Sequence, residues 1–257
     1  MWAPLYLCRR AEHRQARSIG ALASEVAPLG PGIMAYEAPG HWANQACGLA
    51  DAQVPAADLD RMVGFYVSRG IEPLIEVCSL AEPRLLAQLG ARGFRARGFT
   101  HALARELPRD LSRAPVPEGV EIRLLDPHDP AEGDAFDAFV RVLTPEPGRV
   151  EHLAARRAHA FLATVGSEVA GMAHLDVDGP LAALYGAAVV PAFRRRGLHR
   201  ALFEARMAFA ADHGCTLAQV DGPPGGATER NARRLGFSLA YSKLELVRPG
   251  EGLAPSP

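Results

Sequence analysis

The stretch "AAVVPAFRRRGLHRALFEA", Ala187 to Ala205, decides how the chain is read. An apolar run ends at Pro191, three arginines and Gly197 follow, and an amphipathic pattern then resumes. A strand that gives way to a cationic, glycine-bearing turn and then to a helix directs backbone N–H groups at one point. The positive end of the helix dipole lies there too. Such a turn suits a phosphate group.

Working outward, "LAALYGAAVV" (181–190) is a strand and "GLHRALFEARMAFAADHG" (197–214) a helix with Leu198, Leu202, Ala205 and Phe209 near one face and Gly214 as its C-terminal stop. "CTLAQVD" (215–221) is the next strand, "ATERNARRLG" (227–236) a short helix with Thr228 as its N-cap, and "FSLAYSKLELV" (237–247) the closing strand. Upstream, "GVEIRLL" (119–125) alternates as a strand, "DAFDAFVRVL" (134–143) has helical spacing, and "AFLATVGSEVAGMAHLDVD" (160–178) reads as two strands about Gly166.

The densest break in hydrophobic period is "LPRDLSRAPVPEG", Leu107 to Gly119. It divides the chain into a first domain at 1–107, a linker at 108–118, a second domain at 119–248 and a mobile tail at 249–257. The first half ends as the second does. "LLAQLGARGFRARGFTHALARE" (85–106) and "NARRLGFSLAYSKLELVR" (231–248) both run helix, Gly-Phe, strand. "QVPAADLDRMVGFYVSRGIEPLIEV" (53–77) likewise parallels the stretch from Val189 onward, and this is a weak internal repeat. The interval from Pro55 to Gly70 is shorter than that from Pro191 to Gly214, and what it lacks is the arginine-glycine turn.

Composition narrows the partners. With Lys+Arg 28 against Asp+Glu 29, the formal net charge of -1 gives no global basic field for nucleic acid or a membrane surface, so any anion site is local. Cys8, Cys47, Cys78 and Cys215 lack metal-ligand spacing and fit reduced thiols in a cytoplasm, with no metal. The apolar patch at 2–8 contains Pro4 and runs into Arg9 and Arg10, unlike a signal peptide. Neither G-x-G-x-x-G after the first strand nor G-x-x-x-x-G-K-[ST] occurs, which removes the common nucleotide-binding readings.

Arg194-Arg195-Arg196-Gly197-Leu198-His199 resembles R/Q-x-x-G-x-G/A, the pyrophosphate loop of the GNAT N-acetyltransferase superfamily, and the whole C-terminal half resembles that family in element order. The resemblance implies an α/β fold with a mixed sheet, complete in the C-terminal copy and degenerate in the N-terminal one. It also implies acetyl-CoA as cosubstrate, and direct transfer of an acetyl group to a primary amine on a small molecule or peptide. By the same resemblance, the backbone of Ala187, Ala188 and Val189 pairs with the pantetheine arm, the amides of Arg195, Arg196, Gly197, Leu198, His199 and Arg200 hold the diphosphate, and Asn231 helps hold the arm. His199 departs from the family's Gly or Ala. Ala232 stands where relatives have a tyrosine general acid, which leaves Tyr241 or Tyr185 as substitutes. Asp221, at the end of a strand, is the candidate base, with His174, Glu229 and Glu76 less favoured by position. A monomer or homodimer is expected. The alternative is a regulatory protein that binds acyl-CoA without transferring the acyl group.

Overall fold

The computed structural model describes residues 4–111, 116–126, 129, 132 and 159–256, so the helix expected at 134–143 lies outside the described residues. Contacts divide the chain into two units. One comprises Met1–Leu103, Gly222–Arg233 and Phe237–Pro257, and the other Ala104–Asp221 and Arg234–Gly236.

The first unit contains α1 (Pro4–Gly20), β1 (Glu25–Leu29), β2 (Gly32–Tyr36), β3 (Gln45–Cys47), α2 (Ala56–Val67), β4 (Leu74–Cys78), α3 (Pro83–Ala91), most of β5 (Arg95–Glu106), and, from the far end of the sequence, most of α5 (Ala227–Arg234) and all of β11 (Ser238–Val247). Its strands run β1-β2-β3-β4-β11-β5. β3 and β4 are parallel through Ala46 and Ile75, while β11 is antiparallel to β4 from Lys243↔Cys78 to Val247↔Leu74. Helical spacing explains the packing. Leu59, Met62 and Tyr66 of α2 and Leu85 and Leu89 of α3 bury one stripe each in a core with Leu29, Met34, Ile75 and Leu246.

This membership differs from the linear division at 107–119. The physical reason lies in β11, whose Lys243 is 1% exposed and reaches Glu12 Oε1 at 3.3 Å on α1 and Glu76 Oε1 at 3.2 Å on β4. Gln15 donates from Nε2 to Glu76 Oε1 at 2.8 Å and accepts from the Lys243 ammonium through Oε1. A charged lysine inside a core is tolerated only with such partners, and they come from the N-terminal helix and strand. The tail expected at 249–257 is also held, through its described residues. Glu72 N–H donates to Ala254 O at 2.9 Å, and Ala254 N–H to Gly70 O at 2.8 Å.

The second unit contains β6 (Val120–Leu124), β7 (His159–Val165), β8 (Glu168–Asp178), β9 (Leu181–Val189), α4 (Leu198–Asp212) and β10 (Leu217–Gly222) up to Asp221. Strand order is β10-β9-β8-β7-β6. β6 to β9 form an antiparallel meander, with Gly166 at φ +60 in the β7–β8 turn, and α4 carries the chain over to β10, parallel to β9. The sheet is therefore mixed. Helix α4 lies across β8 and β9 and buries Leu198, Leu202, Phe203 and Met207. Ala205 and Phe209, expected on its apolar face, are only half-buried, and the face is turned so that Arg206 lies inside.

Candidate functional site

The site is built on the far end of β9. Its parallel register with β10 runs from Leu181↔Leu217 to Leu184↔Val220, and no further pairing of the two strands occurs among the described residues. Beyond Leu184 the two strands are unpaired, and this unpaired stretch, the wedge, has β9 continuing to Val189 on one side and Asp221, which follows the last paired residue of β10, on the other. On the other side β9 stays attached to β8, through Ala188↔Met172 and Val189↔Gly171. The half-buried residues Ala187, Ala188 and Val189 thus lie on a strand whose second edge lacks a β10 partner among the described residues.

A bulge sits at the start of the wedge. His174 pairs with Tyr185 and Met172 with Ala188, so Gly186 and Ala187 together oppose Ala173. Gly186 has φ +58, and a Cβ there would stand 2.7 Å from His174 Nδ1, so both backbone conformation and space require glycine. The His174 and Tyr185 rings stack at 5.5 Å, and the Tyr185 hydroxyl donates to Asp176 Oδ1 at 3.1 Å.

After Val190, a single 3₁₀ turn at Pro191–Phe193 starts on the proline. Arg194 folds back, its Nε donating to Val189 O at 3.2 Å, and the Arg196 guanidinium lies 5.3 Å from the Phe193 ring centre. Arg195 has φ +65, a left-handed conformation that costs a non-glycine residue roughly 1–2 kcal/mol. Gly197, at φ +82 and ψ -4, is the N-cap of α4 and has no side chain to cap it. The first helical bond runs from Ala201 N–H to Gly197 O at 3.0 Å. The N–H groups before Ala201 therefore lack intrahelical acceptors, and no acidic residue occupies the first turn to compete with an incoming anion. Arg194, Arg195 and Arg196 are exposed, so each adds at most about 1 kcal/mol of attraction.

His199 does not crowd this loop. Its ring packs 5.1 Å from that of Phe203, one turn along the helix, and burial first and the Arg206 charge second push its pKa below the usual histidine range. Leu198 is buried and Arg200 is exposed, paired with Glu204 at 2.9 Å.

The other sequence candidates fall elsewhere. Asp221 is half-buried at the mouth of the wedge and accepts from the Gln219 side-chain amide. Asn231 is half-buried in the second turn of α5, in the first unit. Thr228 lies inside α5 rather than capping it. The α5 N-terminus is instead served by Glu229, which accepts from Gly225 N–H at 2.7 Å and from Arg233, and lies 3.2 Å from His101 Nδ1. Ala232 is wholly buried, its carbonyl accepting from Phe237 N–H at 3.1 Å. Tyr241 is 3% exposed, and its hydroxyl donates to Glu12 Oε1 at 3.1 Å. That bond ties it to the polar core of the first unit. Sequence reasoning missed the Gly186 bulge and Arg206. A glycine inside a strand and an arginine in line with Leu198 and Leu202 at four-residue spacing were the available signals.

Comparison with known proteins bears on the fold. Residues 128–237 match the family described as "Acetyltransferase (GNAT) family". A GCN5-related N-acetyltransferase from Kribbella flavida superposes with TM-score 0.70 at 20% identity, covering 96% of this chain and 98% of its own. A tandem GNAT protein from the clavulanic acid biosynthesis pathway gives 0.65 at 13%, covering 89% and 86%. A GCN5-related N-acetyltransferase from Sphaerobacter thermophilus gives 0.58 at 16%, covering 77% and 67%. At these identities the likeness is one of fold. No curated protein sequence matches the chain.

Proposed function

We propose, from the match of residues 128–237 to the GNAT acetyltransferase family, that this protein is an N-acetyltransferase that takes its acetyl group from acetyl-CoA and delivers it to an amine. The observation that carries the reading is the junction of the β9–β10 wedge with a loop holding two left-handed residues and an uncapped helix start. An extended pantetheine arm needs peptide groups without a strand partner, and a diphosphate needs convergent N–H donors. We assign the first to Ala187–Val189 and the second to Arg195–Arg200, after five intervening residues.

When bound, acetyl-CoA supplies the thioester whose acetyl group is moved. The chain's own residues do the rest. The edge of Ala187–Val189 receives the arm, and the amides from Arg195 to Arg200 hold the diphosphate. Gly186 and Ala187, in the bulge, are the nearest source of a backbone donor for the thioester oxygen. Asp221 stands where an amine would enter and is the proposed proton acceptor. The four cysteines are all free thiols, in keeping with a cytoplasmic setting.

The test is calorimetric binding of acetyl-CoA to the full chain, followed by detection of CoA thiol on addition of a panel of primary amines. The expected result is binding, with thiol release dependent on amine. Binding without release to any amine would favour the regulatory alternative, and absence of binding would overturn both.

A further inference from the structure

Arg206 is 1% exposed and, among the described residues, has no carboxylate partner. Its Nε donates to Leu202 O at 2.9 Å within its own helix, and its Nη1 donates to His174 O at 3.0 Å and Tyr185 O at 3.3 Å. Its guanidinium carbon lies 4.9 Å from the Phe203 ring centre, and Nη2 makes no hydrogen bond among the described residues. Burial pushes its pKa down to about 9, which still leaves it charged at neutral pH.

An unpaired cation in a core carries a large desolvation cost, and an apolar residue of similar size is the cheaper filling for such a place. The hydrogen bonds show what the cation gives in return. His174 and Tyr185 are the paired residues that close one side of the bulge, the point at which β9 takes one more residue than β8. A bulge disrupts the local ladder, so carbonyls beside it need donors from outside the sheet. One guanidinium nitrogen serves both. Gly186, the next residue, is itself held between a left-handed backbone and the His174 ring.

We propose that Arg206 is a positioning residue for acyl transfer: by gripping the His174 and Tyr185 carbonyls it fixes the bulge so that the Gly186–Ala187 backbone meets the thioester oxygen at the start of the wedge. The inference rests on the acyl-CoA reading of the same site. It makes the bulge a preorganised dipole whose geometry is set from the helix side, where bound substrate exerts no pull.

The test uses full-length Arg206→Met, which keeps the apolar bulk, and Arg206→Lys, which keeps a cation able to reach at least one carbonyl. Calorimetry gives affinity for CoA, and difference infrared spectroscopy of bound carbonyl-¹³C acetyl-CoA gives the thioester stretch. In the wild type the stretch shifts to lower wavenumber than in solution. Arg206→Met loses most of that shift while its CoA affinity changes by less than about threefold, and Arg206→Lys keeps part of it. An unchanged shift in Arg206→Met overturns the inference, as does a folded Arg206→Lys with the full shift should the methionine variant not fold. If neither variant folds, the residue serves the fold alone and the inference falls. Wild type that binds CoA but shows no shift sinks this inference and leaves the acetyltransferase reading standing. Wild type that binds neither CoA nor acetyl-CoA sinks both.

Discussion

The two units share a strand–helix–strand frame, and the comparison between their helix starts shows what the frame does not supply. In the second unit the chain leaves β9, makes a 3₁₀ turn, passes two left-handed residues and enters α4 at an uncapped glycine with no acid in the first turn. In the first, it leaves β3, likewise passes two left-handed residues, Gly48 at φ +84 and Ala50 at φ +49, and enters α2 from Pro55, with Asp58 in the first turn. Asp58 already satisfies the positive end of that helix dipole and would repel a phosphate. A cleft of about 350 Å³ does lie beside this start, but Gln53 Nε2 bridges to Glu82 Oε1 at 2.8 Å across its lining. The proposed anion site therefore turns on the acid-free helix start and the arginines before it, within the eight residues from Pro191 to Leu198, added to a frame that both units possess.

The units also differ in how they use a buried cation. Lys243 sits between two carboxylates, whereas Arg206 is spent on carbonyls, so the first should be the more costly to remove. Lys243→Met leaves Glu12 and Glu76 buried without their counterion. We expect a loss of about 3–5 kcal/mol at pH 7, seen as a lower denaturant midpoint for the first unit. Adding Glu12→Gln should restore part of it, because one orphaned charge is then removed. If Lys243→Met costs under about 1 kcal/mol, the network is not what binds β11 into the first unit.

Much of the second unit was legible in the sequence. Strand alternation and the C-terminal Gly214 located β9, α4 and β10, and the glycine among arginines located the helix start, because those signals are local. The pairing of β11 with β4 was not legible, since it joins residues 74–78 to 243–247 and no local pattern encodes a partner so distant in sequence. Nor was the purpose of Arg206. In the sequence it reads as one more polar residue of an amphipathic helix, and only the bulge opposite it, itself marked by no more than Gly186, gives it a task. The bond from Tyr241 to Glu12 was hidden for the same reason, because Glu12 lies at the other end of the chain.

Changing the loop sharpens the contrast between the helix starts. Gly197→Glu places a carboxylate at the N-cap of α4 and forces a side chain into φ +82, where its Cβ would meet Pro117 at 3.4 Å. Acetyl-CoA affinity should fall by at least tenfold, about 1.4 kcal/mol or more, and the ligand's thermal stabilisation should vanish. Retained affinity would move the diphosphate elsewhere. Arg195→Gly acts in the opposite sense. It relieves roughly 1–2 kcal/mol of left-handed strain but gives back about 0.5–1 kcal/mol in chain entropy. The variant should thus be slightly more stable than wild type in urea. Since only one screened rim charge is lost, affinity should drop by less than about fivefold. A larger drop would mean that the Arg195 side chain, and not only its amide, holds the ligand.

The smallest effect separates the loop's backbone from its one unusual side chain. The folded pKa of His199 is below the unfolded value of 6.5, so as pH falls below about 6.5 the unfolded chain takes up a proton that the folded ring resists. Stability is then full above that pH and declines below it. His159 has the same sign, through burial first and His213 second, so the slope is shared between the two rings. Urea denaturation at pH 7.5 and 5.5 should show wild type losing more stability than His199→Gln, with His159→Gln removing a separate part of the difference. At pH 7.5 the His199→Gln variant should bind acetyl-CoA within about twofold of wild type, because the ring packs against Phe203 along the helix. A tenfold loss there would instead make the imidazole a phosphate ligand, and the contrast between the two helix starts would rest on a side chain as well as on the backbone.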